Sequence, residues 1–123
     1  MAKNNNTFGR QGEDAAASWY QEAGYRILDR NWRCAQGEID LIVAQDSTVV
    51  FVEVKARSST RFGSGFEAVD WRKQRRVRQL ARLWLSGRDP AVVDRSIEFY
   101  QDIQFDVVDV DRRGNVRVRQ HCF

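Results

Sequence analysis

The sequence predicts an α/β (α+β) fold in which a mixed central sheet is flanked by helices. Two segments, residues 7–23 and 67–86, repeat apolar residues at the spacing of a helical face. Five others are rich in β-branched residues or alternate between apolar and polar residues, as strands do. These segments are residues 25–34, 37–44, 49–56, 96–110 and 116–122. The resulting order, α-β-β-β-α-β-β, is that of a mixed or antiparallel sheet with helices packed on it.

Both predicted helices have recognisable ends. Thr7 can cap the first helix, and Gly24 is suited to end it. Its apolar stripe consists of Phe8, Ala15, Trp19 and Ala23. The second helix is expected to end at Gly87, shortly before Pro90. Its apolar face consists of Val77, Leu80, Ala81 and Trp84.

Length and composition describe one globular domain, residues 1–123, with a flexible N-terminal tail at residues 1–6. The chain is 42% hydrophobic and 30% charged, which is a globular mixture. No apolar run approaches the roughly 18 residues of a membrane span, so we expect no membrane partner. The first residues contain no apolar signal segment, so we expect a cytoplasmic location. Two cysteines and one histidine do not have the spacing of a zinc site.

The two strands after the first predict a β-hairpin that turns at residues 46–47. A symmetric turn there places Asp40 opposite Glu53. It also places Glu38 opposite Lys55, so that Glu38 is expected to support the site. The alternate positions form an apolar face from the pairs Ile39–Val54, Leu41–Val52 and Val43–Val50.

Two facing carboxylates favour a bound cation. Opposed side chains on paired strands have Cβ atoms about 4.5–5.5 Å apart. Two carboxylates at ~5 Å repel by roughly 3 kcal/mol at an effective dielectric near 20. A Mg²⁺ (or Mn²⁺) ion between Asp40 and Glu53 would offset this repulsion, since such ions take oxygen ligands. The alternative interpretation is a solvated strand face with ordinary alternating charges.

At these residues the sequence resembles a known superfamily. GEIDLIV at 37–43 followed by FVEVKAR at 51–57 resembles the D-(x)n-ExK signature of the PD-(D/E)XK nucleases. More narrowly, the chain resembles the uncharacterised bacterial YraN-type family, which is similar to archaeal Holliday-junction resolvases. The likeness extends to GRQGEDAA at 9–16, RNWR at 30–33, Lys73 on the second helix and FDVV at 105–108. It implies a restriction-endonuclease-like core.

The resemblance also implies a role for each residue of the site. Asp40 and Glu53 would bind the metal, and the backbone carbonyl of Val54 would complete the protein's share of the ligands. Lys55 would position or activate the attacking water and stabilise charge on the phosphate. Glu13, on the first helix, matches an additional acid of the superfamily.

A basic segment predicts a polyanionic partner. Residues 54–88 contain ten Lys or Arg and two acids, a net charge of +8 in a chain of net charge +3. The expected contacts to the nucleic-acid backbone are Arg57, Arg72, Lys73, Arg75 and Arg76. A solvated helix face is the alternative, and Lys73 could instead lie over the core. The four tryptophans are expected in the core, and Trp71 is the one to test as a base-stacking platform.

The sequence favours a metal-dependent endonuclease that hydrolyses phosphodiester bonds in DNA, with branched or structured DNA as the expected substrate. The resemblance implies catalysis rather than showing it. The first alternative is a nucleic-acid-binding protein that keeps the nuclease fold without catalysis. The second is a scaffold whose basic helix binds an acidic protein. A homodimer would suit a symmetric junction.

Overall fold

Five strands form one sheet in the computed structural model, which describes residues 3–56, 71–86 and 102–122. In chain order the elements are α1 (Lys3–Glu22), β1 (Arg26–Cys34), β2 (Gly37–Gln45), β3 (Thr48–Ala56), α2 (Trp71–Ser86), β4 (Asp102–Val110) and β5 (Val116–Arg119). The predicted order of helices and strands is confirmed.

The sheet is mixed, as predicted. Its strand order is β1-β2-β3-β4-β5, and β3 and β4 are the one parallel pair among these five strands. Parallel neighbours need a crossover connection, and α2 lies in the connection from β3 to β4. The central strand β3 therefore has an antiparallel neighbour on one side and a parallel neighbour on the other.

Both faces of the sheet are covered by apolar side chains. On one face α1 packs on the strands through Ala16, Ala17 and Tyr20. The strand residues of this cluster are Leu41, Val43, Val50, Val52, Val108 and Val110. On the other face α2 packs on Ile39, Ile42, Val49, Phe51 and Phe105, through Leu80, Ala81 and Trp84. Strands buried on both faces read as near-continuous apolar runs, as β2 and β3 do. Residues 41–44 and 49–52 of the hairpin are therefore buried rather than solvated, and Asp40 and Glu53 lie partly buried at the end of this segment.

The predicted hairpin register is confirmed over residues 41–45. Leu41 pairs with Val52, and the same register continues to Gln45 and Thr48 around a turn at residues 46–47. The prediction that Ile39 shares the face of Leu41 is wrong, because Ile39 packs in the α2 cluster. The β2–β3 pairing ends at Leu41, so β3 no longer dictates which face the preceding residues take.

Two element ends differ from prediction. Helix α1 begins at Lys3, so residues 3–6, expected as a tail, are helical. This first turn is wholly polar, and an apolar stripe cannot reveal it. Strand β5 ends at Arg119 rather than at residue 122. Beyond it His121 has a left-handed φ of 56°, which takes the chain out of the strand conformation.

Gly24 ends α1 as predicted. It has a φ of 94°, a conformation that glycine adopts without steric cost. The N–H of Tyr25 donates to the carbonyl of Tyr20 at 2.9 Å, and the N–H of Gly24 donates to Gln21 at 3.0 Å. These two hydrogen bonds form a Schellman motif, which fixes the direction in which the chain enters β1.

Some predictions fall outside the described residues. They concern the loop at 57–66, the start of the second helix at 67–70, the helix stop at Gly87 with Pro90, and the strand start at 96–101. Within the described ranges no helix is long and apolar enough to cross a membrane. Cys34 and Cys122 are both free thiols.

Candidate functional site

Strands β2 and β3 stop pairing at the point where the predicted site begins. Beyond Leu41 and Val52, the Asp40 carboxylate replaces a strand–strand contact. Its Oδ2 accepts a hydrogen bond from the backbone N–H of Val54 at 2.8 Å. The Asp40 side chain therefore bonds to a backbone N–H of β3 beyond the last paired residues of β2. This hydrogen bond links Asp40 to β3.

The same hydrogen bond indicates where the Val54 carbonyl points. The N–H and C=O of one strand residue are directed to the same edge of the strand. Because the N–H of Val54 donates to Asp40, its carbonyl is also directed toward β2. One carboxylate and one backbone carbonyl therefore lie along the same gap between the strands.

Glu53 is an acid of the site that is largely enclosed by its neighbours. Its side chain is 18% exposed, and its Oε1 forms an ion pair with the Lys73 ammonium of α2. The Lys55 ammonium lies 3.6 Å from the same oxygen. The other oxygen, Oε2, is buried and has no hydrogen-bond partner among the described residues. Buried carboxylate oxygens rarely lack a hydrogen-bond partner or a bound ion. This oxygen is therefore a candidate ligand for an ion or a hydrogen-bond donor.

Asp40 sits in an environment that opposes its negative charge. Burial raises the pKa of its carboxyl from the ordinary 3.8 to about 6, with further increases from the carboxylates of Glu13, Glu53 and Glu38. The hydrogen bond from Val54 lowers that pKa but does not outweigh burial. A cation at this carboxylate would relieve both the desolvation and the repulsion.

The two lysines of the site differ in their pKa shifts. Burial, followed by the adjacent Lys73 ammonium, lowers the pKa of Lys55. Burial is the largest single influence and lowers the pKa of Lys73, but the hydrogen bonds to Glu53 and Lys55 and the charges of Glu53 and Asp40 together outweigh it, so the net shift is upward. Lys73 is therefore the lasting countercharge of Glu53, and Lys55 is the lysine that loses its proton more readily.

Glu13 reaches the site because α1 lies very close to β3. A Cβ added at Gly12 would stand 3.1 Å from the Cβ of Ala56, so no larger residue fits there without a shift. This close approach brings the half-buried Glu13 near enough for its charge to raise the pKa of Asp40. The predicted placement of Glu13 at the site is thus supported by its effect on Asp40.

The predicted pair between Glu38 and Lys55 does not form. Glu38 is exposed and forms an ion pair with Arg33 of β1 at 3.1 Å, whereas Lys55 faces Glu53. The β2–β3 ladder ends before it would bring residues 38 and 55 opposite each other. Glu38 nevertheless lines the cavity and raises the pKa of Asp40, so it belongs to the rim of the site.

A cavity of about 290 Å³ lies against the two carboxylates of the site. Asp40, Glu53, Lys73 and Arg76 are among the residues that line it. Two carboxylates and a backbone carbonyl are hard oxygen ligands of the kind Mg²⁺ takes, with water or phosphate completing its shell. The described part of the chain contains no group of three or more His, Cys, Asp and Glu side chains placed to hold a metal. Glu13 is therefore not a third ligand in this conformation.

The predicted nucleic-acid contacts fall into two groups. Lys73 and Arg76 line the cavity of the site, whereas Arg72 and Arg75 line a neighbouring cleft with Trp71. Arg57 lies outside the described residues. The six basic and no acidic residues of α2 give the cavity a positive wall on this side.

The sequence does not indicate one contact of the site, and it gives a single indication of another. The hydrogen bond from Val54 to Asp40 depends on where the ladder ends, which residue alternation does not show. The ion pair between Lys73 and Glu53 had one signal: Lys73 lies four residues before Val77, on the apolar side of α2. That position turns Lys73 toward the sheet and away from the exposed arginines.

Fold and site together define an α/β protein with a mixed five-stranded sheet and a cluster of two carboxylates and two lysines beside its central strand. Residues 12–110 match the model of the family described as Uncharacterised protein family UPF0102, and the chain belongs to this family. The resemblance to the YraN-type family is thereby confirmed.

Several relatives cover most of the chain. A UPF0102 protein of Frankia casuarinae is 48% identical over 112 residues, which are 89% of this chain and 88% of that protein. A UPF0102 protein of Nocardia farcinica is 45% identical over 102 residues, 83% of this chain and 74% of the relative. A UPF0102 protein of Moorella thermoacetica is 48% identical over 91 residues, 74% of each chain.

A solved structure shows a weaker likeness. It is described as the structure of Pyrococcus furiosus SfsA in complex with Ca²⁺, and it is 18% identical to this chain with a TM-score of 0.35. The match covers 94% of this chain and 62% of that one. A likeness at this TM-score supports no conclusion about activity or metal binding here.

Proposed function

We propose that this protein is a metal-dependent endonuclease that hydrolyses phosphodiester bonds in DNA, with Mg²⁺ or Mn²⁺ as its cofactor. The buried Oε2 of Glu53, without a partner among the described residues, carries this proposal. Glu53 lines the same cavity as Asp40, whose raised pKa reports burial and repulsion from other acids. Leaving such groups without a partner costs free energy, and a hard cation satisfies both carboxylates.

The chain offers three ligands for this ion. They are Asp40, which commits one oxygen to Val54, the free oxygen of Glu53 and the Val54 carbonyl on the same gap. A metal held there would lower the pKa of a bound water and offset charge on the phosphate. The remaining chemistry belongs to the side chains around it.

Lys55 is the side chain suited to move a proton. Its lowered pKa makes the neutral amine more accessible, so Nζ can take a proton from the attacking water. In its charged form the same group stabilises negative charge on the phosphate. The ammonium of Lys73 holds Oε1 of Glu53, which restricts that carboxylate to one orientation. Lys73 is thus a positioning residue in this proposal.

Arg76 and the neighbouring arginines would bind the phosphates on either side of the scissile one. Arg76 lines the site cavity, and Arg72 and Arg75 continue the positive surface along α2. Contacts of this type are sequence-independent and weaken as salt rises. They suit an enzyme that selects the structure of DNA rather than its sequence.

A nucleic-acid-binding protein without turnover is the second candidate, and one observation favours it. The Lys73 ammonium already neutralises Glu53 without any metal. In such a protein the ammonium of Lys73 would occupy the position of the metal ion, and no metal would bind. Such a protein would bind DNA without cleaving it, and calorimetry would detect no uptake of Mg²⁺.

Two measurements separate these candidates. The first is calorimetric titration of the metal-free protein with Mg²⁺, and the second is nicking of branched and single-stranded DNA with Mg²⁺ or Mn²⁺. The isosteric variants Asp40→Asn and Glu53→Gln should abolish both signals. Asp46→Asn is the matched control, because Asp46 is an exposed acid at the turn of the same hairpin. No Mg²⁺ uptake and no cleavage by the wild type across this panel would refute the proposal.

Three further expectations accompany the proposed activity. The nucleic acid is expected to be DNA, the protein to act as a homodimer on symmetric junctions, and its location to be the cytoplasm. Comparing DNA with RNA in the cleavage assay, and measuring the mass of the protein in solution with and without a junction, tests the first two expectations.

A further inference from the structure

Trp71 is an exposed aromatic residue that neither apolar core uses. Its exposure is 60%, whereas Trp84, on the same helix, is 1% exposed and buried under the sheet. A large aromatic ring left exposed is available to stack on another molecule. The ring lies beside the candidate site rather than at a random place on the surface.

Basic and amide side chains surround this ring. The guanidinium carbons of Arg72 and Arg75 lie 5.6 and 5.9 Å from the ring centroid. With Arg76, Gln79 and Gln36 they line a cleft of about 430 Å³. An aromatic face flanked by guanidinium groups matches a nucleotide, which presents a flat base and a negative phosphate together.

The cleft adjoins the candidate site. Arg76 lines both cavities, so the two share a wall. The turn between β1 and β2 forms a second connection, since Gln36 lines the cleft and the next residue, Gly37, lines the site cavity. A nucleic-acid strand that lies in the cleft would therefore lead into the cavity of Asp40 and Glu53.

We propose that this cleft binds an unpaired nucleotide of the substrate, with its base stacked on Trp71 and its phosphate held by Arg72, Arg75 and Arg76. The inference rests on the proposed function and deepens it by naming single-stranded nucleic acid as the feature recognised. Bases inside a duplex are already stacked on their neighbours, so an exposed ring gains little from a continuous duplex. An acidic protein would engage the arginines but would leave the ring unused.

The test compares the binding of two probes in EDTA, where no metal-dependent cleavage occurs. One probe is a fluorescein-labelled oligothymidylate, and the other is a labelled blunt duplex. Trp71→Ala should weaken binding of the oligothymidylate about tenfold, in line with the loss of one stacked base. Binding of the duplex should stay within about twofold. Trp71→Phe, which keeps an aromatic face, should restore most of the lost affinity.

Two controls make the result specific. Ile103→Ala removes another large apolar side chain that is exposed in the described part of the chain. Ile103 is 50% exposed and pairs with Val49 near the opposite end of β3. This substitution should leave both affinities unchanged. Stacking should also quench tryptophan emission when the oligothymidylate binds, and this quenching should be absent in Trp71→Phe.

Equal losses for the two probes in Trp71→Ala, or no loss for either, would overturn the stacking site. If Mg²⁺ uptake and cleavage persist beside that result, the proposed nuclease stands and the stacking inference alone fails. Failure of the wild type to bind either probe at low salt would overturn both.

Discussion

The carboxylate of Asp40 accepts a hydrogen bond from the backbone N–H of Val54, at 2.8 Å, where the ladder between β2 and β3 ends. This contact brings an acid of one strand to the edge of its neighbour. It also holds Asp40 beside Glu53 and Val54, at the point where the two strands stop pairing. The proposed metal site depends on this local break in an otherwise regular hairpin.

Exchange of the Val54 amide proton should report this contact directly. Asp40→Ala removes the acceptor, so the amide should exchange faster with solvent than in the wild type. Asp40→Asn keeps an oxygen in place and should preserve most of the protection. Residue-resolved hydrogen exchange by NMR measures both variants. Equal protection of Val54 in wild type and Asp40→Ala would contradict the contact.

The raised pKa of Asp40 predicts a pH-dependent stability. A carboxyl whose pKa rises from 3.8 to about 6 on folding favours the folded state most below pH 4. That contribution is lost as pH rises through about 6. In EDTA at pH 8, Asp40→Asn should therefore be more stable than the wild type, by at most about 3 kcal/mol.

Urea unfolding at several pH values measures this difference. The advantage of Asp40→Asn should shrink toward zero near pH 4, where the wild-type carboxyl is also neutral. Asp46→Asn, an exposed acid of the same hairpin, should show no comparable advantage. A variant Asp40→Asn that is less stable than wild type at pH 8 would disagree with the proposed environment.

Lys73 should compete with a bound metal for Glu53. Replacing it in Lys73→Gln removes the ammonium from a poorly exposed carboxylate, so the metal-free protein should lose about 1–3 kcal/mol of stability. Mg²⁺ should then raise the melting temperature of the variant more than that of the wild type. Thermal melts with and without Mg²⁺ measure the effect.

Arg82→Gln is the matched control for this comparison, because it removes an exposed positive charge from the same helix. It should alter neither the metal-free stability nor the response to Mg²⁺ by a comparable amount. Identical Mg²⁺-induced shifts in Lys73→Gln and the wild type would show that Lys73 does not share a site with the ion.

The glycines of α1 should respond differently to alanine. Alanine is favoured over glycine within helices by about 1 kcal/mol. Gly9→Ala should gain this stability, since a Cβ there meets no atom within 4 Å. Gly12→Ala places a Cβ 3.1 Å from Ala56, which has no flexible end to move aside. It should therefore lose stability and, by moving Glu13, lower the pKa of Asp40.

Calorimetric melting of the two variants gives the stabilities, and NMR titration of the Asp40 carboxyl gives its pKa. An equal rise in the melting temperature of both variants would argue against the close contact of α1 with β3.

The periodic elements could be predicted from the sequence, and the break in the hairpin could not. The register around Leu41 and Val52 follows from the turn and from alternation, both of which are local. The position of Ile39 depends on where the ladder ends, and that depends on a side chain bonding to a neighbouring strand. The prediction that Glu38 faces Lys55 is wrong for the same reason, because the ladder ends before these two residues.

Residues on the helices were harder to place than those on the hairpin. The arginine-rich pattern of α2 predicts a basic surface, but it does not show that Lys73 turns inward to Glu53. Composition also favours a buried position for every tryptophan, whereas Trp71 is exposed. In both cases the packing of α2 against the sheet decides the outcome, and this packing is not a local property of the sequence.

Anomalous diffraction from a crystal soaked with Mn²⁺ tests the central claim most directly. A peak bound by the carboxylates of Asp40 and Glu53 and by the carbonyl of Val54 is the expected result, and Asp40→Asn crystals should lose it. Well-ordered density for those three groups with no anomalous peak between them, at saturating Mn²⁺, would contradict the metal site.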